Sequence, residues 1–286
     1  MWARLLYEAS HRMCTSRSLV RDMSSSCIMR WLGKTAVVTG AGGAIGSLAC
    51  KKLALLGMNV VAVDLQKSKA MEQLEAELQN AAGRLYFESC NITDDKSVAD
   101  LFCKVDEMYQ GASVCLCCAG IALPGSIMSG EYKNWRSQMD VNLMGMTLCS
   151  REAISSMSRT GKEEGHIIHI GSVSGHRVSE KEDLHFYQVT KHAVSTLGEA
   201  LRLEMAVHGC PFKITQICPG YVDTGLWDTM YKGQEGSEQK VKDIKPSSTD
   251  KLLDADDVVN VVLFCIATPS HVVINDIIMR TMGTTL

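Results

Sequence analysis

The segment HFYQVTKHAV contains a tyrosine and a lysine whose spacing suits proton transfer. Tyr187 and Lys191 are four positions apart, so on a helix their side chains lie on the same face. A phenol has an ordinary pKa of about 10, which is too high for a general base at neutral pH. A nearby ammonium lowers that pKa because it stabilises the phenolate. Tyr187 is therefore a candidate general acid and base, and Lys191 is the residue that would tune it.

Ser172 precedes this pair by a short stretch, in the segment HIIHIGSVSG. The apolar part of the segment predicts a buried strand, and Ser172 follows its carboxyl end. From there the hydroxyl can donate a hydrogen bond to a substrate carbonyl oxygen beside the tyrosine. Taken alone, the residue has an alternative interpretation as a serine that stabilises a turn.

The segment TGAGGAIG, residues 39–46, has the composition of a phosphate-binding loop. It lies between an apolar run and a helical pattern, so the free N–H groups at the helix start would face a bound anion. Gly40 would close the strand, and Gly46 would let strand and helix pack closely because it has no side chain. The alternative is a glycine-rich turn that binds nothing.

Asp64 ends the next apolar run, NVVAVD. Its spacing from the loop, about 20 residues, is that of an acid that binds the ribose hydroxyls of a dinucleotide. A carboxylate there repels a 2′-phosphate and favours NAD, whereas Lys67 and Lys69 keep NADP as the alternative. Asp64 could also simply cap the next helix.

Short apolar runs alternate with longer amphipathic patterns from Thr35 onward, which is typical of βαβ units. Seven runs predict strands: TAVVTG, NVVAVD, RLYFESC, SVCLCCAG, GHIIHIGS, KITQICPG and VVINDIIM. Helical patterns lie near residues 44–57, 67–82, 94–109, 131–158, 185–207 and 254–267. They predict an α/β fold in which residues 31–286 form one Rossmann domain, a doubly wound seven-stranded parallel sheet flanked by helices on both faces.

Two segments depart from this alternation. Residues 1–30 are rich in arginine and serine, and they form an N-terminal extension that is either a targeting segment or disordered. Residues 225–250 are charged and follow the carboxyl end of a predicted strand, where ligands bind in doubly wound sheets. We interpret them as a mobile substrate lid, with a plain surface loop as the alternative.

The composition disfavours several classes of function. The net charge of −3 gives no general attraction to nucleic acid, and no apolar stretch reaches the roughly 20 residues of a membrane span. The 12 cysteines include Cys115, Cys117 and Cys118 in one apolar run, which predicts reduced thiols rather than a disulfide scaffold. No further ligand follows this cluster at regular spacing, so we predict no metal site.

The chain from about Trp31 to Arg280 resembles the short-chain dehydrogenases/reductases. The resemblance rests on TGAGGAIG, DVNLMG, GSVSG, YQVTK and CPGYVDT, which occur in this order. REAISSM, SGHRV and the tail TPSHVVINDIIMR narrow it toward insect farnesol dehydrogenases and related vertebrate reductases of steroids and other carbonyls. It implies a nicotinamide dinucleotide and hydride transfer to or from a substrate carbon.

The resemblance also assigns roles to residues. Tyr187 is the general acid and base, and Lys191 lowers its pKa and binds the nicotinamide ribose. Ser172 orients the substrate carbonyl, and Asn142 holds a water in the proton relay. The implied cofactor site comprises Gly40, Gly43, Ile45, Gly46, Asp64, Asn91, Ile92, Ala119, Gly120, Tyr187, Lys191, Pro219, Gly220, Val222 and Thr224.

Four departures from the family's pattern occur. Ala44 stands where glycine is usual, and CCAG, residues 117–120, stands where the family has NNAG. Those asparagines normally make hydrogen bonds that cysteine makes only weakly. Asn91 replaces an aspartate that accepts a hydrogen bond from adenine, and its carbonyl can still accept one. His169 replaces an asparagine, and we interpret it as structural.

The sequence therefore predicts an NAD-dependent alcohol dehydrogenase or carbonyl reductase for an apolar substrate such as an isoprenoid alcohol or a steroid. Close relatives tend to carry arginine where this chain has Leu65 and to use NADP, so Asp64 argues for NAD against that resemblance. The alternative function, suggested by CCAG and His169, is a nucleotide-binding scaffold with little catalysis that acts through partners or senses the cofactor. The resemblance implies a homodimer or homotetramer. The expected compartment is cytoplasmic or, on the N-terminal composition, mitochondrial.

Overall fold

A seven-stranded sheet forms the centre of the computed structural model, which describes residues 29–245 and 251–284. The strands are β1 Thr35–Thr39, β2 Asn59–Asp64, β3 Arg84–Ser89, β4 Val114–Cys117, β5 Gly165–Ile170, β6 Phe212–Pro219 and β7 Asp276–Met279. All neighbours are parallel, and their order is β3-β2-β1-β4-β5-β6-β7. The seven predicted strands are confirmed, although only the second half of the last run pairs with β6.

Helices connect these strands and cover the sheet. The α-helices of the described residues are α1 Ala44–Leu55, α2 Lys69–Glu77, α3 Asp95–Tyr109, α4 Tyr132–Met139, α5 Met146–Arg159, α6 His185–Val207, α7 Leu226–Tyr231, α8 Ser237–Ile244 and α9 Ala255–Ile266. A π-helical turn, Asp140–Gly145, joins α4 to α5, so the pattern predicted as one helix is interrupted. The short helices α7 and α8 lie within the segment predicted as a lid.

Two apolar layers, one on each face of the sheet, form the core. On one face α1 and α9 pack against the strands through residues such as Leu53 and Val262. On the other face α3 and α5 contribute Phe102 and Met157. Because both faces are covered, every residue of β1, β4 and β5 is buried. These layers confirm the predicted doubly wound α/β fold.

The order of the strands reverses between β1 and β4, which lie side by side. Successive connections run outward from this point in opposite directions, so the loops after β1 and β4 separate and leave a crevice. The glycine loop follows β1, and the segment CCAG follows along β4. The predicted nucleotide site therefore lies at the switch point of the sheet.

Parts of two predicted segments, residues 1–28 of the extension and residues 246–250 of the lid, lie outside the described residues. Over 29–245 and 251–284, the helices are too short or too polar to cross a membrane.

His169 lies in the middle of the sheet on β5 and is fully buried. Its Nε2 is 2.8 Å from Ser150 Oγ on α5, which ties the strand to the helix that covers it. Burial, together with the charges of Arg202 and Lys191, lowers the pKa of His169 to about 4. The ring is therefore neutral in the folded protein at physiological pH.

This burial predicts a sensitivity to acid. Unfolding returns the pKa of His169 to about 6.5, so only the unfolded chain takes up this proton between pH 6.5 and pH 4. Stability should fall over that window, and His169→Asn should reduce the loss between pH 7 and pH 4.5 by about 2 kcal/mol. Urea unfolding at the two pH values measures the difference. His271→Asn, at an exposed position, is the control; an equal loss in the wild type and His169→Asn would contradict the prediction.

Candidate active site

In the glycine loop, the absence of side chains at Gly40 and Gly46 allows close backbone contacts. Gly40 has a φ of 66°, and a Cβ there would lie 2.7 Å from the backbone of Ala119. A Cβ on Gly46 would collide with the Gly40 carbonyl oxygen. Helix α1 begins after Gly43 without a side-chain cap, so its first N–H groups are available to an anion. These contacts form a cradle that fits a pyrophosphate.

The position of Ala44 does not require a glycine. It is the first residue of α1, where an L-residue adopts helical backbone without strain. Within the loop only Gly40 has the left-handed conformation that favours glycine. The methyl group of Ala44 contributes to the wall of the adjacent cavity.

Asp64 turns back toward the glycine loop from the end of β2. Its carboxylate accepts hydrogen bonds from Gly42 N at 2.8 Å and Leu65 N at 2.7 Å. The Leu65 side chain is 62% exposed and supplies no charge. Lys67, which could bind the 2′-phosphate of NADP, forms an ion pair with Glu75 that partly neutralises its charge.

The tyrosine and lysine of α6 face the crevice as the helical spacing predicts. Both are buried, and Lys191 Nζ lies 5.7 Å from the centre of the Tyr187 ring. Ser172 lines the same cavity as Tyr187, and its hydroxyl acts to lower the pKa of the tyrosine. Lys191 Nζ also donates a hydrogen bond of 3.1 Å to the carbonyl oxygen of Ile170, which is the last residue of β5. The arrangement brings a proton donor, a hydroxyl and an ammonium to one wall.

Burial disfavours the charged forms of both Tyr187 and Lys191. It raises the pKa of Tyr187 to about 12, although the nearby Ser172 hydroxyl acts to lower it. It also lowers the pKa of Lys191 to about 8. The lowering of the tyrosine pKa by Lys191 stays a prediction, because desolvation of the phenolate is the largest effect on that pKa here and it raises the pKa.

Asn142 lies beneath this wall, in the π-helical turn. Its side chain accepts from Ile121 N and donates to Ile121 O, each at 2.8 Å, and it donates to Thr190 Oγ1 at 3.0 Å. A π-turn places one extra residue in the helix and is frequent at functional sites. Asn142 thereby links the chain after β4 to α6, the helix of Tyr187 and Lys191.

The CCAG segment keeps its connection to the glycine loop through Thr39. Thr39 O accepts from Cys118 N at 3.2 Å, and Thr39 Oγ1 accepts from Ala119 N at 3.4 Å. The Cys117 thiol points into the core, 3.8 Å from the thiol of Cys115. Backbone and threonine hydrogen bonds therefore hold this strand end although the two asparagines are absent.

Asn91 is oriented by its own turn. Its side-chain oxygen accepts from the backbone N and the hydroxyl of Thr93, at 3.1 and 2.8 Å. The oxygen expected to accept from adenine is thus engaged locally. Asn91 still lines the cavity beside Asp64.

Two adjoining cavities, of about 330 and 250 Å³, contain the predicted cofactor residues. Both are walled by Gly40, Gly43 and Gly120. The larger also contains the predicted residues Ile45, Gly46, Ser172, Tyr187, Lys191, Pro219, Gly220, Val222 and Thr224. The smaller contains Asp64, Asn91, Ile92 and Ala119. Together they form a crevice with Asp64 at one end and Tyr187 at the other. This is the arrangement expected of a dinucleotide site.

The sequence analysis missed the apolar part of the larger cavity. Ile121, Ala122 and Leu123 line it directly after CCAG, and Leu226 and Trp227 line it from α7. In the sequence, the only sign of this lining is the apolar run that continues past Gly120. The contacts of Leu226 and Trp227 depend on how α7 packs, which no local pattern shows.

Helix α7 covers the tyrosine. The Trp227 ring meets the Tyr187 ring edge-on at 5.8 Å and stacks on Tyr221 at 6.1 Å. Met230 and Tyr231 are buried against the same cluster, and Tyr231 Oη donates to an Asp183 carboxylate oxygen at 3.1 Å. The site is therefore closed over an apolar, aromatic surface.

Comparison with known proteins agrees with this geometry. The family described as short chain dehydrogenase matches residues 34–235. Dehydrogenase/reductase SDR family member 11 of Gallus gallus is 36% identical over 253 residues, which are 88% of this chain and 97% of that protein. Farnesol dehydrogenase of Aedes aegypti is 31% identical over 257 residues, 89% and 98% of the two chains.

A solved structure of similar fold is the closed form of a serine dehydrogenase complexed with NADP+. Its TM-score is 0.77 at 23% identity, over 88% of this chain and 96% of that one. At this identity the likeness concerns the fold. The match to the family over most of the described residues leads to one conclusion: the chain belongs to the short-chain dehydrogenase family and is an NAD(P)-dependent oxidoreductase.

Proposed function

We propose that the protein is an NAD-dependent alcohol dehydrogenase or carbonyl reductase that acts on an apolar substrate. The observation that carries this proposal is that Tyr187, Ser172 and Lys191 line the same cavity as the glycine loop at the start of α1. A proton-transfer group and a nucleotide cradle then face the same space.

The proton chemistry belongs to four side chains. Ser172 orients the substrate oxygen, and Tyr187 donates a proton to that oxygen in reduction or accepts it in oxidation. Lys191 stabilises the phenolate form, and Asn142 holds a water that connects the site to solvent. The nicotinamide dinucleotide, when bound, supplies or accepts the hydride. Its ring would lie against Pro219, Gly220, Val222 and Thr224.

The charge around the ribose end supports NAD. The Asp64 carboxylate faces the loop and would repel a 2′-phosphate, Leu65 is uncharged, and Lys67 is paired with Glu75. The related structure with NADP+ shares the fold at 23% identity, so it does not decide the preference of this chain.

The cavity lining supports an apolar substrate. Ile121, Ala122, Leu123 and Trp227 surround the space in front of Tyr187, and burial of apolar groups there stabilises a bound hydrocarbon. The mosquito relative is named for farnesol, an isoprenoid alcohol, which fits this lining.

The segment from Gly225 onward acts as the lid in this proposal. Trp227 rests on Tyr187, and it must move when a substrate enters. The hydrogen bond from Tyr231 to Asp183 fastens the closed position to the turn before α6.

Tyr187→Phe tests the proposed mechanism. Removal of the hydroxyl should lower kcat at least about 100-fold, since no other group can transfer the proton, while the dissociation constant for NADH changes little. Initial rates with a panel of apolar alcohols and ketones, and a fluorescence titration with NADH, measure the two effects. Tyr132→Phe, at a side chain that is 72% exposed, is the control. An undiminished rate in Tyr187→Phe would reject the mechanism.

Asp64→Asn tests the cofactor preference. The amide keeps the size of the side chain but removes the charge, so the ratio of kcat/KM for NADP to that for NAD should rise about tenfold or more. The wild type should prefer NAD. Asp100→Asn, on the exposed face of α3, should leave the ratio unchanged. A wild type that prefers NADP would show that the carboxylate does not decide selectivity.

A further inference from the structure

Three metal-ligating side chains meet beside the active site, outside the set that the reaction uses. His176 follows the short turn after β5, Cys218 lies in β6, and Asp276 begins β7. His176 Nε2 is 3.3 Å from an Asp276 carboxylate oxygen and 3.2 Å from Cys218 Sγ. The three ligand atoms lie within 4.8 Å of one another, and no other such cluster occurs among residues 29–245 and 251–284.

The arrangement does not fit a Cys-His-Asp catalytic triad. In a triad the two ring nitrogens divide the work, one facing the nucleophile and the other facing the carboxylate. Here Cys218 Sγ and the Asp276 oxygen both approach the same nitrogen of His176, Nε2. A single nitrogen cannot accept from the thiol and donate to the carboxylate at once. The three ligand atoms are close enough to one another to share one cation.

We propose that His176, Cys218 and Asp276 bind a zinc ion. Thiolate, imidazole and carboxylate are the ligands that zinc prefers. At ordinary zinc–ligand distances, tetrahedral geometry separates such atoms by about 3.3–3.6 Å. The distances from His176 Nε2 to the Asp276 oxygen and to Cys218 Sγ, 3.3 and 3.2 Å, are close to these values. On binding, the Sγ–Zn bond forms as the thiol proton leaves to solvent, and the neutral imidazole coordinates through Nε2.

The surroundings of the cluster suit a bound ion. Cys218 is fully buried, whereas the side chains of His176 and Asp276 are 25% and 34% exposed, so an ion can enter and a water can complete the shell. Gln216 Nε2 donates to Cys218 Sγ at 3.1 Å and to Ser195 Oγ at 2.8 Å, which orients the sulfur from behind.

The position next to Ser172 gives the site a structural consequence. Cys218 Sγ packs against Gly171, where an added Cβ would lie 2.8 Å from the sulfur. Gly171 directly precedes Ser172, so a zinc ion would join the turn that carries Ser172 to β6 and β7. The ligands come from three separate segments of chain, which is why no sequence motif predicts them.

Metal binding to the untagged full-length protein tests the proposal. After treatment with EDTA, the protein is titrated with Zn²⁺ against a chromophoric chelator and, separately, with Co²⁺, whose thiolate charge-transfer band reports coordination by sulfur. We expect about one ion per chain in the site, a cobalt–thiolate band, and a melting temperature that rises by about 5 °C at a hundredfold excess of free zinc over Kd.

The variants decide which residues hold the ion. Cys218→Ser should abolish the band, and His176→Gln and Asp276→Asn should each weaken binding at least about tenfold. Cys103→Ser, at an exposed cysteine, should change none of these readouts. Asp276→Asn, at a partly exposed side chain, keeps the test decisive if Cys218→Ser does not fold. An absent thiolate band in the wild type, or equal affinity in Asp276→Asn and wild type, would overturn the proposal.

Discussion

The contact between the Gly46 region and the Gly40 carbonyl is the constraint on which the site depends. It brings α1 against the end of β1, and the left-handed backbone of Gly40 then lets Ala119 pack on it. The chain after Ala119 reaches Ile121, which Asn142 holds by two hydrogen bonds. Asn142 in turn binds Thr190 on the helix of Tyr187. One continuous series of contacts thus connects the nucleotide loop with the proton-transfer helix.

The same burial that assembles the site opposes its chemistry. Burial raises the pKa of Tyr187 and lowers the pKa of Lys191. The Ser172 hydroxyl offsets part of the effect on the phenol. A site of this kind needs further stabilisation of the phenolate during turnover, which open and closed positions of the lid and the charge of a bound cofactor can supply.

Much of the fold was predictable because its signals are local. The buried strands are continuous apolar runs, and the glycine loop, Asp64 and the Tyr187–Lys191 pair have spacings that one strand or helix turn explains. The cofactor residues that the resemblance implied all line the two cavities. The CCAG segment suggested a scaffold with little catalysis. That alternative is less well supported because Thr39 accepts hydrogen bonds from Cys118 N and Ala119 N at that strand end.

Other features depend on contacts between distant segments, and no local pattern reveals them. The π-turn at Asn142 interrupts an ordinary amphipathic pattern, and α7 takes its place only by packing on Tyr187. The group of His176, Cys218 and Asp276 comes from the turn after β5, from β6 and from the start of β7. Metal motifs in a sequence consist of residues close together along the chain, such as Cys115, Cys117 and Cys118. His176, Cys218 and Asp276 are far apart in the sequence and form no such motif.

The central claim is that the crevice at the switch point carries out direct hydride transfer. Incubation of the protein with an apolar ketone and NADH deuterated at both C4 positions, followed by mass spectrometry of the alcohol, tests it most directly. We expect one deuterium, bound to the carbinol carbon, in proportion to the NADH consumed. Alcohol without deuterium at that carbon, or NADH consumption without alcohol, would contradict the account.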